Sequence, residues 1–162
     1  MPADARRIFE IVEPYAREKV LITKALIAYF ESIQEFVVAD LETAPDKWLT
    51  VGCGALHVLW DDIAEIRTVA VAREFQRRGI GRRVVAELIE RARSFGLQRL
   101  FCLTFEVEFF QSFGFRVIEG TPVGTDVYEE MLRSHDDGVA EFLDLARVKP
   151  NTLGNSRMLL DL

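Results

Sequence analysis

Apolar residues recur at helical spacing in two stretches of the chain. The first stretch predicts an amphipathic helix that is capped by Asp4 and ends before Val20; its apolar positions are Ile8, Ile11, Val12 and Tyr15. The second predicts a helix that begins at Gly81 and ends at Ser94; its apolar positions are Val84, Val85, Leu88, Ile89 and Ala92. A shorter helix is predicted between them; its apolar positions are Leu26, Phe30 and Ile33.

Continuous runs of apolar and β-branched residues predict the strands. Residues 49–59 and 63–71 form two such runs, and the segment Trp60-Asp61-Asp62 between them predicts an antiparallel pair. Gly52 and Gly54 leave one face of the first run without side chains. A third run, at 97–105, follows the long helix. Because strand, helix and strand in this order form a βαβ unit, we expect 63–71 and 97–105 to be parallel neighbours.

The remaining segments are shorter and less regular. The sequence predicts strands at 36–39 and 157–162, a turn at 40–47, helices at 127–132 and 139–145, and a loop at 149–154. An aromatic helix with Phe109, Phe110 and Phe113 is expected before another short strand. No internal repeat or linker divides the chain. We therefore predict one α/β domain over residues 1–162, with a mixed central sheet and flanking helices.

Composition narrows the classes of protein that fit. The chain has 162 residues, of which 49% are apolar and 28% charged, so it has enough apolar side chains for its own core. No apolar run approaches the roughly 20 residues of a membrane span. Because no secretory leader follows the N-terminus either, a cytoplasmic protein is expected. The net charge of −6 argues against general binding to nucleic acid or to an anionic membrane.

The cysteines and histidines form no pattern typical of a disulfide, a metal site or a nucleophile. Cys53 and Cys102 are far apart in sequence and are expected to be small core residues. His57 lies four residues after Cys53, which is about 13 Å along a strand, so we expect a partly buried structural histidine. His135, beside two aspartates, is predicted to lie in a loop. No metal is predicted.

The sharpest local pattern lies between the strand at 63–71 and the long helix. It is the segment Gln76-Arg77-Arg78-Gly79-Ile80-Gly81-Arg82-Arg83. Its two glycines allow a tight turn close to a ligand, and the first amides of a helix favour a phosphate. Its arginines add cationic charge for a ligand with several phosphates. The alternative interpretation is a helix start with a solvated basic face. The spacing matches neither a P-loop nor a dinucleotide fingerprint.

This pattern resembles the acetyl-coenzyme A binding core of the GNAT acyltransferases. Gln-x-x-Gly-x-Gly opens a helix after an apolar strand, and a further strand and an aromatic helix ending in Phe113-Gly114-Phe115 follow it. Within the superfamily the chain is similar to N-acetylglutamate synthase in its short, stand-alone actinobacterial form. The segments that carry this second resemblance are 52–56, 64–71, 103–104 and 155–156, together with Lys24 and 33–39.

The resemblance implies the GNAT fold, with acetyl-coenzyme A as co-substrate and no metal. The backbone of Val69, Ala70 and Val71 is then expected to pair with the pantetheine arm of the donor. The segment from Gln76 to Arg82 is expected to hold the diphosphate; we call it the donor loop, and its residues are Gln76, Arg77, Arg78, Gly79, Ile80, Gly81 and Arg82.

The resemblance also implies roles on the acceptor side. Glu65 matches the carboxylate that takes a proton from the incoming amine, Thr104 matches a hydroxyl beside the thioester, and Lys24 matches a residue that binds substrate carboxylate. The other residues expected to bind the acceptor are Arg67, Lys149, Asn155 and Arg157. A base is needed because an ammonium group has no lone pair.

From the residues alone, each of these assignments has an alternative. Glu65 could equally form a surface ion pair with Arg67. Lys24 could be a solvated helix residue, and Arg157 could be a charge that protects an edge strand.

The chain departs from the family pattern at three places. Many GNAT enzymes have a tyrosine acid where this chain has Phe110, so that role falls to Thr104 or to water. Gly154 stands where an arginine often precedes Asn155, so Lys149 or Arg157 is expected to supply the charge. A strand usually precedes the first helix of the family, whereas here the helix is predicted to begin directly after Asp4.

The expected function is transfer of acetyl from acetyl-coenzyme A to the α-amine of L-glutamate, the first step of arginine biosynthesis, directly in a ternary complex. Glutamine or another small amine is the alternative acceptor. A non-catalytic acyl-coenzyme A sensor and an enzyme acting on protein amines are the further alternatives. Arginine is expected of the family as an effector, and the terminal strand favours a homodimer.

Overall fold

The structure is a computed structural model that describes residues 1–148 and 154–162. The described residues fold into two compact units. The first unit holds residues 1–57 and 66–95, and the second holds 58–65 and the described part of 96–162. The single domain over residues 1–162 stays a prediction.

The first unit contains three helices and most of three strands. Its elements, in chain order, are α1 (Ala5–Arg17), α2 (Leu26–Glu31), β1 (Phe36–Ala44), β2 (Lys47–Val58), β3 (Ile63–Val71) and α3 (Ile80–Ser94). β3 contributes its last six residues to this unit and its first three to the second. Short 3-10 helices lie at Pro2–Asp4, Ile33–Glu35 and Arg73–Phe75. The predicted helical stripes around Ile8 and Val84 are confirmed as α1 and α3.

The second unit adds three strands and three helices. They are β4 (Arg99–Thr104), α4 (Val107–Gln111), β5 (Arg116–Val117), α5 (Thr125–Met131), α6 (Asp137–Phe142) and β6 (Ser156–Asp161), with a 3-10 helix at Ala146–Val148. Asp136 caps α6, because its side chain accepts from the amides of Gly138 and Val139. His135 lies in the loop just before this cap, as predicted.

The six strands follow the order β1-β2-β3-β4-β6-β5. β1 and β2 are antiparallel, and β4 is antiparallel to β6. β3 and β4 are parallel, with Ile63 opposite Arg99 and Glu65 opposite Phe101. The predicted mixed sheet and its central parallel pair are therefore confirmed.

Hydrogen bonds at both ends of β2 and β3 confirm the predicted antiparallel pair. The Ala72 amide, just after β3, donates to the Val51 carbonyl at 2.8 Å. The Leu59 amide, just after β2, donates to the carbonyl of Ile63 at 3.0 Å. The end of each strand therefore meets the start of the other.

Each unit has its own apolar core. In the first, buried side chains of α1 meet Tyr29 of α2, Cys53 of β2 and Ala70 of β3. In the second, Ile63 and Phe101 pack with Phe142 of α6, and the Phe101 and Phe142 rings meet edge to face at 5.2 Å. Close packing of the side chains within each core holds the strands, and therefore their ends, in fixed directions.

The prediction of a turn over 40–47 was wrong. β1 continues to Ala44, and only Pro45 and Asp46 separate it from β2. The β1–β2 register shifts twice, between Ala39 and Asp40 and between Glu42 and Ala44. The polar residues of this segment belong to an exposed edge strand, whose composition is like that of a loop.

Across the described residues, none of the helices combines the length and the apolar composition that a membrane span needs.

Candidate functional site

The donor loop lies where predicted, between β3 and the N-terminus of α3. Gly79 precedes the helix with φ +76°, and Arg77 also has a left-handed φ of +60°. A Cβ built on Gly79 would meet no atom within 4 Å, so the glycine is required here for its backbone conformation. Arg77, Arg78 and Gly79 are exposed. The loop therefore presents the first amides of α3 and its arginines to solvent, as a site for an anionic ligand requires.

The last residues of β3 offer backbone groups for hydrogen bonding. Because the amide of Ala72 bonds to β2, Ala70 and Ala72 direct their backbone groups toward β2, and alternation directs those of Val69 and Val71 to the other edge. The carbonyl of Val71 accepts a hydrogen bond from the Tyr15 hydroxyl at 2.5 Å.

β3 carries a local backbone strain just before these residues. Thr68 has φ +57°, which is costly for a β-branched residue. Strained backbone of this kind is concentrated at functional sites, because only a firm surrounding structure can maintain it.

A half-buried ionic cluster in the first unit joins Arg67 and His57 to Glu35. Arg67 Nη2 donates to Glu35 Oε2 at 2.9 Å, and Nδ1 of His57 lies 2.9 Å from Glu35 Oε1. Burial alone would raise the pKa of Glu35, but its bonds to His57 and Arg67 and their charges lower it. Arg91 of α3 also donates to the carbonyls of Gln34 and Phe36. His57 is thus the partly buried structural histidine that the sequence predicted.

Glu65 is a buried carboxylate near the start of β3. It is 3% exposed and stands opposite Phe101 of β4. The pKa of the Cys102 thiol is raised by burial and, to a smaller extent, by the charge of Glu65. Because Glu65 is buried, it is not the surface residue that the alternative interpretation required.

Thr104 ends β4 and is also buried, but its side chain is on the other face of the strand from Glu65. Paired residues of parallel strands share a face, so Glu65 lies on the face of Phe101. Thr104, three residues after Phe101, lies on the opposite face. Its Oγ1 accepts from the amide of Glu106 at 2.9 Å. The structure therefore does not bring the two predicted catalytic side chains onto one face.

Arg157 is held on the same face as Phe101. Its Nη1 donates to the carbonyl of Gly120 at 2.7 Å, its Nη2 donates to the carbonyl of Phe142, and its guanidinium lies over the Phe101 ring at 5.6 Å. Burial lowers the pKa of Arg157. The alternative interpretation as a charge on an edge strand is wrong, because β6 lies between β4 and β5.

Two of the other predicted acceptor residues lie in connections between elements. Lys24 is half-buried in the connection between α1 and α2, not in a helix as the alternative interpretation required. Asn155 is half-buried just before β6. Lys149 lies outside the described residues. Phe110, at the position of the family tyrosine, is buried and packs against Phe115 with ring centroids 5.3 Å apart.

Sequence reasoning missed two residues that hold these elements in place. The sequence predicts Tyr15 only as an apolar helix position, and Glu35, within the 33–39 segment, has no predicted role of its own. Both act through hydrogen bonds to residues distant in sequence, which periodicity does not reveal. Among the residues that the structure describes, no group of three or more potential ligands could hold a metal ion.

Comparison with known proteins agrees with this geometry. Residues 5–115 match the model of the acetyltransferase (GNAT) family, and the chain belongs to that family. The predicted family, fold and acetyltransferase class are thereby confirmed. The amino-acid acetyltransferase of Mycobacterium tuberculosis is 55% identical over 98% of this chain and 89% of its own length.

Solved structures extend the comparison. A crystal structure of a Mycobacterium tuberculosis protein in complex with CoA and the ligand NLQ is similar at a TM-score of 0.94 and 54% identity, covering 100% of this chain and 96% of the other. N-acetylglutamate synthase from Neisseria gonorrhoeae, complexed with coenzyme A and N-acetyl-glutamate, is similar at a TM-score of 0.74. At 22% identity, with 98% of this chain and 33% of the other covered, that likeness shows the fold alone.

Proposed function

We propose that this protein transfers acetyl from acetyl-coenzyme A to the α-amino group of L-glutamate. The observation that carries the proposal is the buried carboxylate of Glu65 on β3, the same strand that leads into the arginine-rich donor loop. The 55% identical amino-acid acetyltransferase supports an amino acid as acceptor. The product would be N-acetylglutamate, at the entry to arginine biosynthesis.

The donor is assigned to the first unit. The donor loop combines exposed arginines with the start of a fifteen-residue helix, and both favour a diphosphate. The edge of β3 around Val69 supplies backbone groups for the amides of the pantetheine arm, since the carbonyl of Val71 accepts from Tyr15. CoA bound to the 54% identical Mycobacterium tuberculosis protein supports this assignment.

Glu65 is assigned as the base. It takes a proton from the ammonium of the acceptor, directly or through one water, and the free amine then attacks the thioester carbonyl. The C–N bond forms as the C–S bond breaks, the acylated nitrogen gives up its extra proton to water, and the departing thiolate takes a proton from water. Thr104 remains the other candidate acid, but its place on the opposite face of β4 favours water.

Glutamine is a second candidate acceptor, favoured by a specific observation. A γ-carboxylate needs cationic partners, whereas a γ-amide does not. Arg67 is bonded to Glu35, and both Nη atoms of Arg157 donate to backbone carbonyls. Lys24 and Asn155 are the other two predicted acceptor residues that the structure describes. An arginine effector and a homodimer stay predictions.

A turnover screen of the full chain tests the proposal. Acetyl-coenzyme A is supplied with each of the twenty amino acids in turn, and free thiol is measured. We expect turnover with glutamate, glutamine or both, and none with a control peptide that has a free N-terminus and a lysine. Donor binding without turnover on any amino acid would favour the acyl-coenzyme A sensor, whereas turnover on peptide amines alone would favour an enzyme acting on proteins.

A further inference from the structure

One hydroxyl group ties the end of β3 to the beginning of the donor loop. The Tyr15 hydroxyl, from α1, donates to the Val71 carbonyl at 2.5 Å and accepts from Gln76 Nε2 at 2.6 Å. A phenol can do both, because it has one proton to donate and lone pairs to accept. Val71 is the last residue of β3 and Gln76 the first of the donor loop.

A second contact fixes the plane of the Tyr15 ring. Arg73, in the segment between Val71 and Gln76, places its guanidinium over this ring at 5.3 Å. Arg73 Nη2 also lies 2.5 Å from Glu18 Oε1, just beyond the end of α1. This ion pair is exposed and by itself stabilises little. Two hydrogen bonds of the Tyr15 hydroxyl, the ring contact and this ion pair together join the 71–76 segment to Tyr15 and Glu18.

Burial keeps the Tyr15 hydroxyl protonated. Its pKa is raised, chiefly by burial, although the Gln76 bond and the charge of Arg73 act in the opposite direction. A protonated phenol is the form that can donate to the Val71 carbonyl. The hydroxyl is therefore protonated, and able to donate to Val71, at neutral pH.

We infer that Tyr15 is a positioning residue for the acyl donor. The inference rests on the proposed function of the donor loop. Because the Tyr15 hydroxyl bonds to the Val71 carbonyl, the pantetheine arm bonds to backbone groups nearer to Val69. It also holds Gln76 in place before the backbone turns through Arg77 and Gly79, and so sets where the first amides of α3 point.

The test compares Tyr15→Phe with the wild-type chain. The variant loses both hydrogen bonds but keeps the ring under Arg73. Calorimetry with CoA should show binding weakened by about 5- to 30-fold, the range for one or two lost hydrogen bonds. In initial-rate measurements, the KM for acetyl-CoA should rise by a similar factor. The KM for the acceptor, and kcat at saturating donor, should stay within about twofold of the wild type, because only the donor is misplaced.

Two further variants separate positioning from loss of folding. Gln76→Met removes one bond from an exposed side chain and should weaken CoA by about 3- to 10-fold. Combined with Tyr15→Phe, it should add nothing, since the shared bond is already lost. Tyr29→Phe is the matched control. Tyr29 lies in the same apolar cluster, and its ring contacts Phe9 and Phe36, so loss of its hydroxyl should leave CoA binding unchanged.

The outcomes are distinct. Equal weakening by Tyr29→Phe, strict additivity of Tyr15→Phe and Gln76→Met, or a fall in kcat with an unchanged donor KM would each overturn the inference. If wild type binds CoA and Tyr15→Phe binds it equally well, the role of Tyr15 is wrong and the proposed function stands. If wild type binds no CoA at all, the proposed function fails and the inference fails with it.

Discussion

Two glutamates near β3, Glu35 and Glu65, have different surroundings, and we propose different roles for them. Glu35 accepts hydrogen bonds from Arg67 and His57, and this company stabilises its charged form. Glu65 lies on β3 with Ile63 and Phe101 on the same face. A buried carboxylate that is shielded from water is a typical setting for a base. The chemistry of each residue is thus decided by its neighbours and not by its type.

Replacing Glu65 by Gln tests its role as base. The amide keeps the shape of the side chain but cannot accept a proton, so turnover should fall by about 10²- to 10⁴-fold. The acidic limb of the pH–rate profile should shift or vanish, while CoA affinity by calorimetry stays near the wild-type value. Thr104→Val should cost less, because water can protonate the thiolate. An unaltered pH profile in Glu65→Gln would place the base elsewhere.

Replacing Glu35 by Gln tests the ionic cluster through stability. The pKa of Glu35 is lower in the folded chain than in the unfolded one, so the carboxylate stabilises the fold above its unfolded pKa. This contribution is lost as the pH falls through the lower, folded value. Glu35→Gln should therefore reduce the free energy of unfolding by about 2 kcal/mol at neutral pH, because Arg67 and His57 lose the carboxylate that they bond to. Denaturant titrations should show this difference shrinking toward zero in acid; a difference that does not depend on pH would contradict the charge-based account.

At the scale of elements, the missing side chains of β2 let α3 approach the sheet. A Cβ on Gly52 would stand 2.8 Å from Ile80 Cγ2, and a Cβ on Gly54 would stand 2.7 Å from Val84 Cγ1. Both distances are shorter than carbon atoms tolerate. The two glycines thus set the height of α3 above the sheet, and α3 carries the donor loop at its N-terminus.

Gly54→Ala should therefore destabilise the fold. Its new methyl group forces α3 outward or side chains off their rotamers, at a cost of about 1–3 kcal/mol in the free energy of unfolding. Val84→Ala removes the atom that the new Cβ would meet, so the double variant should recover part of that loss. Denaturant midpoints of the two single variants and the double variant form the cycle. Simple additivity of the two losses would mean that Gly54 and Val84 do not share this contact.

Elements with a strong apolar period could be predicted from sequence, and an exposed edge could not. α1 and α3 follow directly from their stripes, and the parallel pair of β3 and β4 follows from the strand–helix–strand order. β1 did not, because beyond Ala39 its side chains are exposed and polar and only pairing with β2 makes it a strand. Tertiary pairing, which a single segment does not encode, decided its length.

At the scale of the whole molecule, the sequence reveals the candidate donor site better than the candidate acceptor site. The donor loop is contiguous in sequence, so its glycines and arginines can be recognised together. The predicted acceptor residues come from separate segments, and the tertiary structure decides which other groups they bond to. The bond from Arg67 to Glu35 and the bonds from Arg157 to two carbonyls could not be derived from spacing. They change which cations are candidates for the acceptor.

The cysteines of both units favour direct transfer without an acyl-enzyme. Burial raises the pKa of Cys53 to about 12, and burial with the charge of Glu65 raises that of Cys102. A thiol with a pKa of about 12 is ionised to only about one part in 10⁵ at pH 7, and the thiolate is the nucleophile. We therefore expect initial-rate lines that intersect, as a ternary complex requires.

Mass spectrometry gives the complementary measurement. Protein incubated with acetyl-coenzyme A and no acceptor should keep its mass, and Cys102→Ser should retain turnover within a few-fold of wild type. Parallel initial-rate lines, or an acetyl group retained on either cysteine, would instead establish a covalent intermediate. In that case Glu65, whose charge acts on Cys102, would have to activate a thiol rather than the amine of the acceptor.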